Sequence, residues 1–444
     1  MIEMEEFENS KLAESYFTDF LDKPLQNDEN PHLLQLREEG KLSFLKTGIP
    51  DKKSEEWKYT PIRKYIDTLP VAGNGNLAGH IIGNGKKTLK PLKEEDGITL
   101  VIIDGQWIPS LSSPNTEENL EIIPFHEAET NAPALLGRIG KYAAMDMAFT
   151  ALNTALFPDG LIIRVKENSQ SSKPLHLVHY TLGTDSPVQH PRLYVDIGKG
   201  ASATLVESFM ANNGSSVTFN NSVTEIAVGE NARLQHYYIH TESSSEVNLQ
   251  HAHIHQEAGS NYSNFNFAFP GASLIRHDVH VGLSGSGAAT NLYGFSLAAA
   301  GQLIDNHTRI DHLVPDCTSN ELYKTIAKDE ATVVFNGKVI VHPDAQRTSG
   351  FQRNNNIMLS DTATIYTKPQ LEIYADDVKC SHGATLGQFD RDALFYLTAR
   401  GIRDKTAKEI LAHAFVTEII EKIPDEHIRE YINGLIADYF IFLS

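Results

Sequence analysis

Across residues 151–388 apolar and polar side chains alternate in short runs, and helical spacing is nearly absent. Small-residue corners interrupt the runs at Gly200-Ala201-Ser202-Ala203-Thr204-Leu205, Asn231-Ala232-Arg233-Leu234 and Gly259-Ser260-Asn261-Tyr262. Three more follow at Gly287-Ala288-Ala289-Thr290, Glu330-Ala331-Thr332-Val333 and Thr362-Ala363-Thr364-Ile365. Most neighbouring corners lie about 30 residues apart, the range of stacked repeats. Tyr262, Phe265, Phe267 and Phe269 follow one corner, and Val333, Phe335, Val339 and Val341 another, so each coil sends one set of side chains inward. A sandwich or barrel would need turns every ~8–12 residues. The longer period favours a mainly β chain wound as a parallel β-helix, with small residues at its corners.

The flanks read differently. Residues 1–150 are mixed: Leu12, Tyr16, Phe17, Phe20 and Leu21 fall at helical spacing, Pro31 to Lys46 continues in that manner, and Ile98 to Ile103 predicts a strand. Gly73 to Gly85, rich in Gly and Asn, reads as a linker. Residues 389–444 predict three helices. Asp390 caps the first, Gly401 stops it, the second starts near Asp404, and Pro424-Asp425 separates it from the third. Their broad apolar stripes must cover the end of the repeat stack, meet a partner, or do both.

Composition narrows the function. The formal net charge of −19 repels phosphate backbones and anionic lipid, so nucleic acid and membrane surfaces are poor partners. Two cysteines, Cys317 and Cys380, are too few for a disulfide framework, and no basic, apolar leader opens the sequence; both point to the cytoplasm. No Walker loop is present, since Gly83-Asn84-Gly85-Lys86-Lys87 lacks the spacing and the hydroxyl residue. Gly282-Leu283-Ser284-Gly285-Ser286-Gly287 falls in strand territory and reads as a coil corner.

Two groups of side chains carry candidate chemistry. His251, His253 and His255 alternate with Ala252 and Ile254, so on a strand they share one face, either as a polar outer surface or as ligands for a borderline metal. His277, His280, His307 and His312 stand under the same two readings. In Asp376-Asp377-Val378-Lys379-Cys380-Ser381-His382, Cys380 and His382 lie one pleat apart on one side. A thiolate and an imidazole so placed can share a soft metal, and Lys379 would favour the thiolate. A buried cysteine beside a satisfied histidine is the competing reading.

The run from Leu371 through Cys380-Ser381-His382-Gly383-Ala384-Thr385 resembles the signature of the SufB/SufD family of iron–sulfur cluster assembly scaffolds. Similar matches occur at Glu55-Glu56-Trp57-Lys58-Tyr59-Thr60, Tyr323-Lys324-Thr325-Ile326, Val334 to Val339, Thr367-Lys368-Pro369 and Leu394 to Ile402. The intact Cys-Ser-His-Gly-Ala-Thr stretch, without an N-terminal cysteine cluster, places the likeness on the SufD side. The resemblance implies a right-handed parallel β-helix between helical ends and a non-catalytic scaffold that pairs with a SufB-like chain. It implies that the C-terminal helices, through Phe395, Tyr396, Arg400, Gly401 and Ile402, dock a SufC-like ATPase that hydrolyses ATP. By likeness His382, with Cys380 less securely, contributes to a nascent iron–sulfur cluster shared with the SufB-like partner, and Cys317 is structural. A homodimeric SufB-like scaffold and a carbohydrate-active β-helix enzyme are the alternatives. For the latter, Asp376 and Asp377 point to opposite faces of a strand and cannot straddle one bond.

Overall fold

The computed structural model describes residues 17, 21, 30–67, 69, 97–182, 188–211, 217–242 and 246–440. Most of the helix expected before Leu21, and the linker expected from Gly73 to Gly85, lie outside these residues. Helix Pro31–Thr47 begins where the Asn30 side chain accepts the N–H groups of His32 and Leu33, and ends at Gly48 with φ 67°. Gly40 lets this helix lie directly on helix Ala148–Leu156. A Cβ there would stand 2.8 Å from the Ala155 nitrogen.

The middle of the chain is a parallel β-solenoid of about seven turns. Each coil adds one strand to each of two ten-stranded sheets. In the first sheet Arg233 faces Asn261 and Asn261 faces Ala289, so a coil takes about 30 residues, as the corner spacing predicts. Strand Ile98–Ile103 joins this sheet beside Leu175–Thr181, so the solenoid takes in a strand ahead of residue 151.

The corners explain the small residues. Gly200, Asn231, Gly259 and Gly287 all have positive φ, and Gly200, Asn231 and Gly259 each donate a backbone N–H to the next coil's carbonyl, at Glu230, Ala258 and Ser286. A line of hydrogen bonds therefore runs along the solenoid axis at this corner. Side chains with branched Cβ atoms would be strained at these turns.

Inside, Leu205, Leu234, Tyr262 and Leu292 meet Ile226, Ile254, Val279 and Val281 from the opposing sheet. The outer faces are covered as well. The N-terminal helices lie on the second sheet through Trp57, Phe149, Phe219 and Leu249. Helices Asp404–Ile420 and Glu426–Phe440 lie on the first, with Ile419, Ile428, Ile432 and Ile436 against Tyr237, Phe265 and Phe295. Each fully buried isoleucine contributes about 1.5–3 kcal/mol. These helices were expected to cover the end of the stack, meet a partner, or do both; they lie on its flank instead of its end, and among the described residues they leave its last edge uncovered.

Candidate functional site at the open rim

The first sheet ends on strand Val378–Gly387 and the second on Thr364–Ile373, and neither outer edge pairs with a described strand. A finished solenoid must stop somewhere, and its last coil has inward side chains with no following coil to bury them. Val378 and Cys380 still pack on the apolar interior, whereas His382, two residues further, is exposed. His382 stands in register beside Gln352, which is buried and donates its amide to Glu321.

The structure thus brings Cys380 and His382 onto one side of one strand but into different surroundings. Burial pushes the Cys380 thiol above its usual range, with a smaller opposing effect from a backbone hydrogen bond at Gly350. The thiolate-favouring influence expected of Lys379 is absent from the groups acting on the thiol, because that side chain points away and is exposed. Among the described residues no three His, Cys, Asp or Glu side chains are grouped so as to hold a metal. The rim pair is two donor groups on one strand, one partly buried and one exposed. Cys317 is wholly buried and donates its S–H to the Gly285 carbonyl, a packing role.

Apolar side chains surround the rim. Phe351, Tyr366, Ile373, Tyr374 and Leu386 are all exposed, with Tyr374 at 61% and Leu386 at 55%. They cluster on the last two coils, and grouped exposure of this kind marks an interaction surface. Asp376 and Asp377 occupy the turn leading into the last strand. There the Asp377 carbonyl accepts the Arg347 N–H and its own N–H bonds the Gln346 side chain.

A second exposed group lies on the C-terminal helices. Helix Arg391–Ala399, capped by Asp390 as predicted, buries none of its residues. Phe395 is 73% exposed, and Arg400 lies over the Tyr396 ring at 4.9 Å. Gly401 takes φ 85° to end the helix, and Ile402 is half-buried. The next helix is tied to the sheet by Glu418, which pairs with Lys324 at 2.6 Å and Arg353 at 2.5 Å. Arg353 belongs to strand Thr348–Met358, the immediate neighbour of the strand bearing His382.

The remaining histidines divide by the parity of their strands. His251, His253 and His255 do share the outer face, but that face is not solvated: the N-terminal helices cover it and leave His251 and His253 buried. His280 and His307 lie on the same outer face, while His277 and His312 point into the solenoid. Sequence reasoning missed an interior cluster in which Glu207 accepts from His179 and His236, both at 2.9 Å. Burial would raise this carboxyl, but the two imidazole hydrogen bonds outweigh it and lower its pKa to about 2. Inward polar residues at Glu207 and His236 leave no trace in an alternation pattern, which assigns polar side chains outward.

Residues 180–415 match the family model described as the SUF system FeS cluster assembly SufBD core domain, and residues 10–177 match the SufBD protein N-terminal region. The chain is 32% identical over 392 residues to the iron–sulfur cluster assembly protein SufD of Escherichia coli K12, covering 88% of this chain and 89% of that one. It is 33% identical over 392 residues to an iron–sulfur cluster assembly SufBD family protein of Synechocystis, covering 85% and 84%. It is also 31% identical over 421 residues to the chloroplastic protein ABCI7 of Arabidopsis thaliana, covering 91% and 86%.

Proposed function

The chain belongs to the SufBD family of iron–sulfur cluster assembly proteins, and on that premise we propose that it is the SufD-type scaffold of a cytoplasmic complex with a SufB-like chain and a SufC-like ATPase. The observation that carries this reading is the open last strand, where His382 stands exposed within an apolar margin. Unpaired backbone groups on that edge can extend the sheet into a partner by strand addition, and Leu386, Tyr374 and Phe351 supply the apolar contact around the seam. In the seam His382 offers an imidazole to a nascent iron–sulfur cluster, with the partner supplying thiolate. Cys380, partly buried with a raised pKa, is the lesser contributor.

The C-terminal unit, residues 389–444, docks the ATPase through Phe395, Tyr396, Arg400, Gly401 and Ile402. When ATP draws two ATPase subunits together, their pull on these helices reaches the rim by a short route: Glu418 holds Lys324 and Arg353, and Arg353 sits one strand from His382. The ATP-bound state then favours an opened seam through differential binding to two scaffold arrangements. No catalytic step falls to this chain in the scheme.

The test is purification of the chain from its own cell. Recovery with a SufB-like scaffold and a SufC-like ATPase supports the proposal, and so does loss of cluster from the purified complex after His382→Ala. A chain recovered only as a homodimer by mass measurement refutes the heterodimeric reading, and full cluster content in the His382→Ala complex refutes the role of His382.

A further inference from the structure

A cavity of about 940 Å³ lies between the N-terminal helices and the outer face of the second sheet, away from the strand edge that carries His382. Its floor holds His251 and His253 from strand Glu246–Gln256 and His280 from strand Leu274–Leu283. His253 and His280 are direct register partners, with ring centroids 5.5 Å apart and planes at 77°.

Two imidazoles bound to one tetrahedral ion at Zn–N distances near 2.0–2.1 Å place their ring centres roughly 5 Å apart. The separation of the observed pair is therefore that of two imidazoles sharing an ion. The bonds that hold it are weak. His253 has one long contact, 3.3 Å from Nε2 to the Thr150 hydroxyl. His251 is 2% exposed and neither of its ring nitrogens makes a hydrogen bond of good geometry. Its Nδ1 lies 3.3 Å from Asp278, a carboxylate it shares with Arg276, while its Nε2 has no hydrogen-bond partner. A buried ring nitrogen without a partner costs stability, and an ion bound at Nε2 would satisfy it while Asp278 orients the ring from the other side.

The wall chemistry decides which ligand. An anion would need free cationic groups, yet most lining cations are matched, Arg276 to Asp278 and Asp305, Arg309 to Asp311, and Lys338 to Glu372; the remaining one, Lys141, is exposed and lies over the Tyr142 ring, away from service to a buried anion among the histidines. Imidazole nitrogens are the donors that a borderline divalent ion prefers, and this cavity floor carries three such rings. His255 is not part of the group. It is stacked on Tyr142 at 4.8 Å and hydrogen-bonded to Ser284.

We propose that this cavity binds a divalent transition-metal ion of borderline softness between His253 and His280, with His251 as a third ligand within reach and water in the remaining positions. Among the described residues no three metal-ligating side chains are already grouped, so the proposed site is an open and exchangeable one instead of a structural cage. It does not depend on the role given to His382.

The full-length chain titrated with Co²⁺, read by visible absorption, and with Zn²⁺, read by calorimetry, tests the proposal. One equivalent should bind. His253→Gln and His280→Gln should each weaken binding at least tenfold, while His382→Ala and Cys380→Ser leave it unchanged. Absence of binding overturns the proposal, as does binding that survives both glutamine variants or vanishes with His382→Ala. Should the glutamine variants fail to fold, anomalous scattering from wild-type crystals soaked in Co²⁺ decides: a peak between His253 and His280 supports the site, and peaks only elsewhere refute it.

Discussion

Gln352 and His382 are register partners on adjacent parallel strands, yet Gln352 is buried and His382 is exposed. One coil separates them. Gln352 is roofed by the strand that follows, while no described strand pairs with the outer edge of the strand of His382. The same inward position is a structural hydrogen-bonding site in one coil and an exposed side chain in the next, purely because the stack ends.

The rim margin should govern assembly and not folding. Leu386→Asp places a charge at an exposed apolar position, so its thermal midpoint should match that of the parent chain. Placing that charge in a desolvated seam costs about 1.4 kcal/mol or more, which is at least tenfold in affinity for a SufB-like partner. Paired measurements of melting and partner binding check this. Unchanged affinity would remove the strand edge from the interface.

Two coils in from the rim, burial raises the pKa of the Glu321 carboxyl to about 7, against 4.5 for the ordinary group. The folded chain therefore holds this proton more tightly than the unfolded chain does. Its favourable contribution is complete below pH ~4.5 and is lost as pH rises through ~7. Glu321→Gln should remove that dependence, gaining on the parent by on the order of 3 kcal/mol between those limits. Urea unfolding of both proteins at pH 5, 6, 7 and 8 would reveal it. Parallel pH profiles would mean that the carboxyl is hydrated.

Glu225 fastens the N-terminal region to the solenoid. It pairs with buried Arg192 at 2.5 Å and accepts the backbone N–H groups of Gly140, Tyr142 and Ala143. Glu225→Ala leaves the Arg192 charge buried without its partner, and such a break costs about 3–5 kcal/mol. We expect a lower denaturation midpoint and faster proteolysis near residues 138–147. Adding Arg192→Met should recover part of the loss. No recovery in the double variant would place the damage in the loop and not in the ion pair.

The coiled architecture was legible because its causes are local. Turns such as Gly200, Asn231 and Gly259 need positive φ in every coil, and alternation between them declares an inside and an outside. The helix cap at Asp390 is equally local, a side chain bonded to amides two and three residues on. The strand carrying Cys380 and His382, and their common side, followed from the same parity.

What covers each face could not be read in this way. Alternation separates inward from outward positions but does not say whether outward means solvent, and His251 and His253 were outward and nonetheless buried by helices more than 90 residues earlier in the chain. Nor does it tell an apolar interior from one that also holds Glu207 between His179 and His236. The sequence by itself determined the repeat, the corners and the side of the strand on which each residue lies, since those depend on near neighbours. Only the tertiary structure decided burial, partnership and the exposure of His382, because these depend on which distant surface lies against a given face and on where the stack of coils stops.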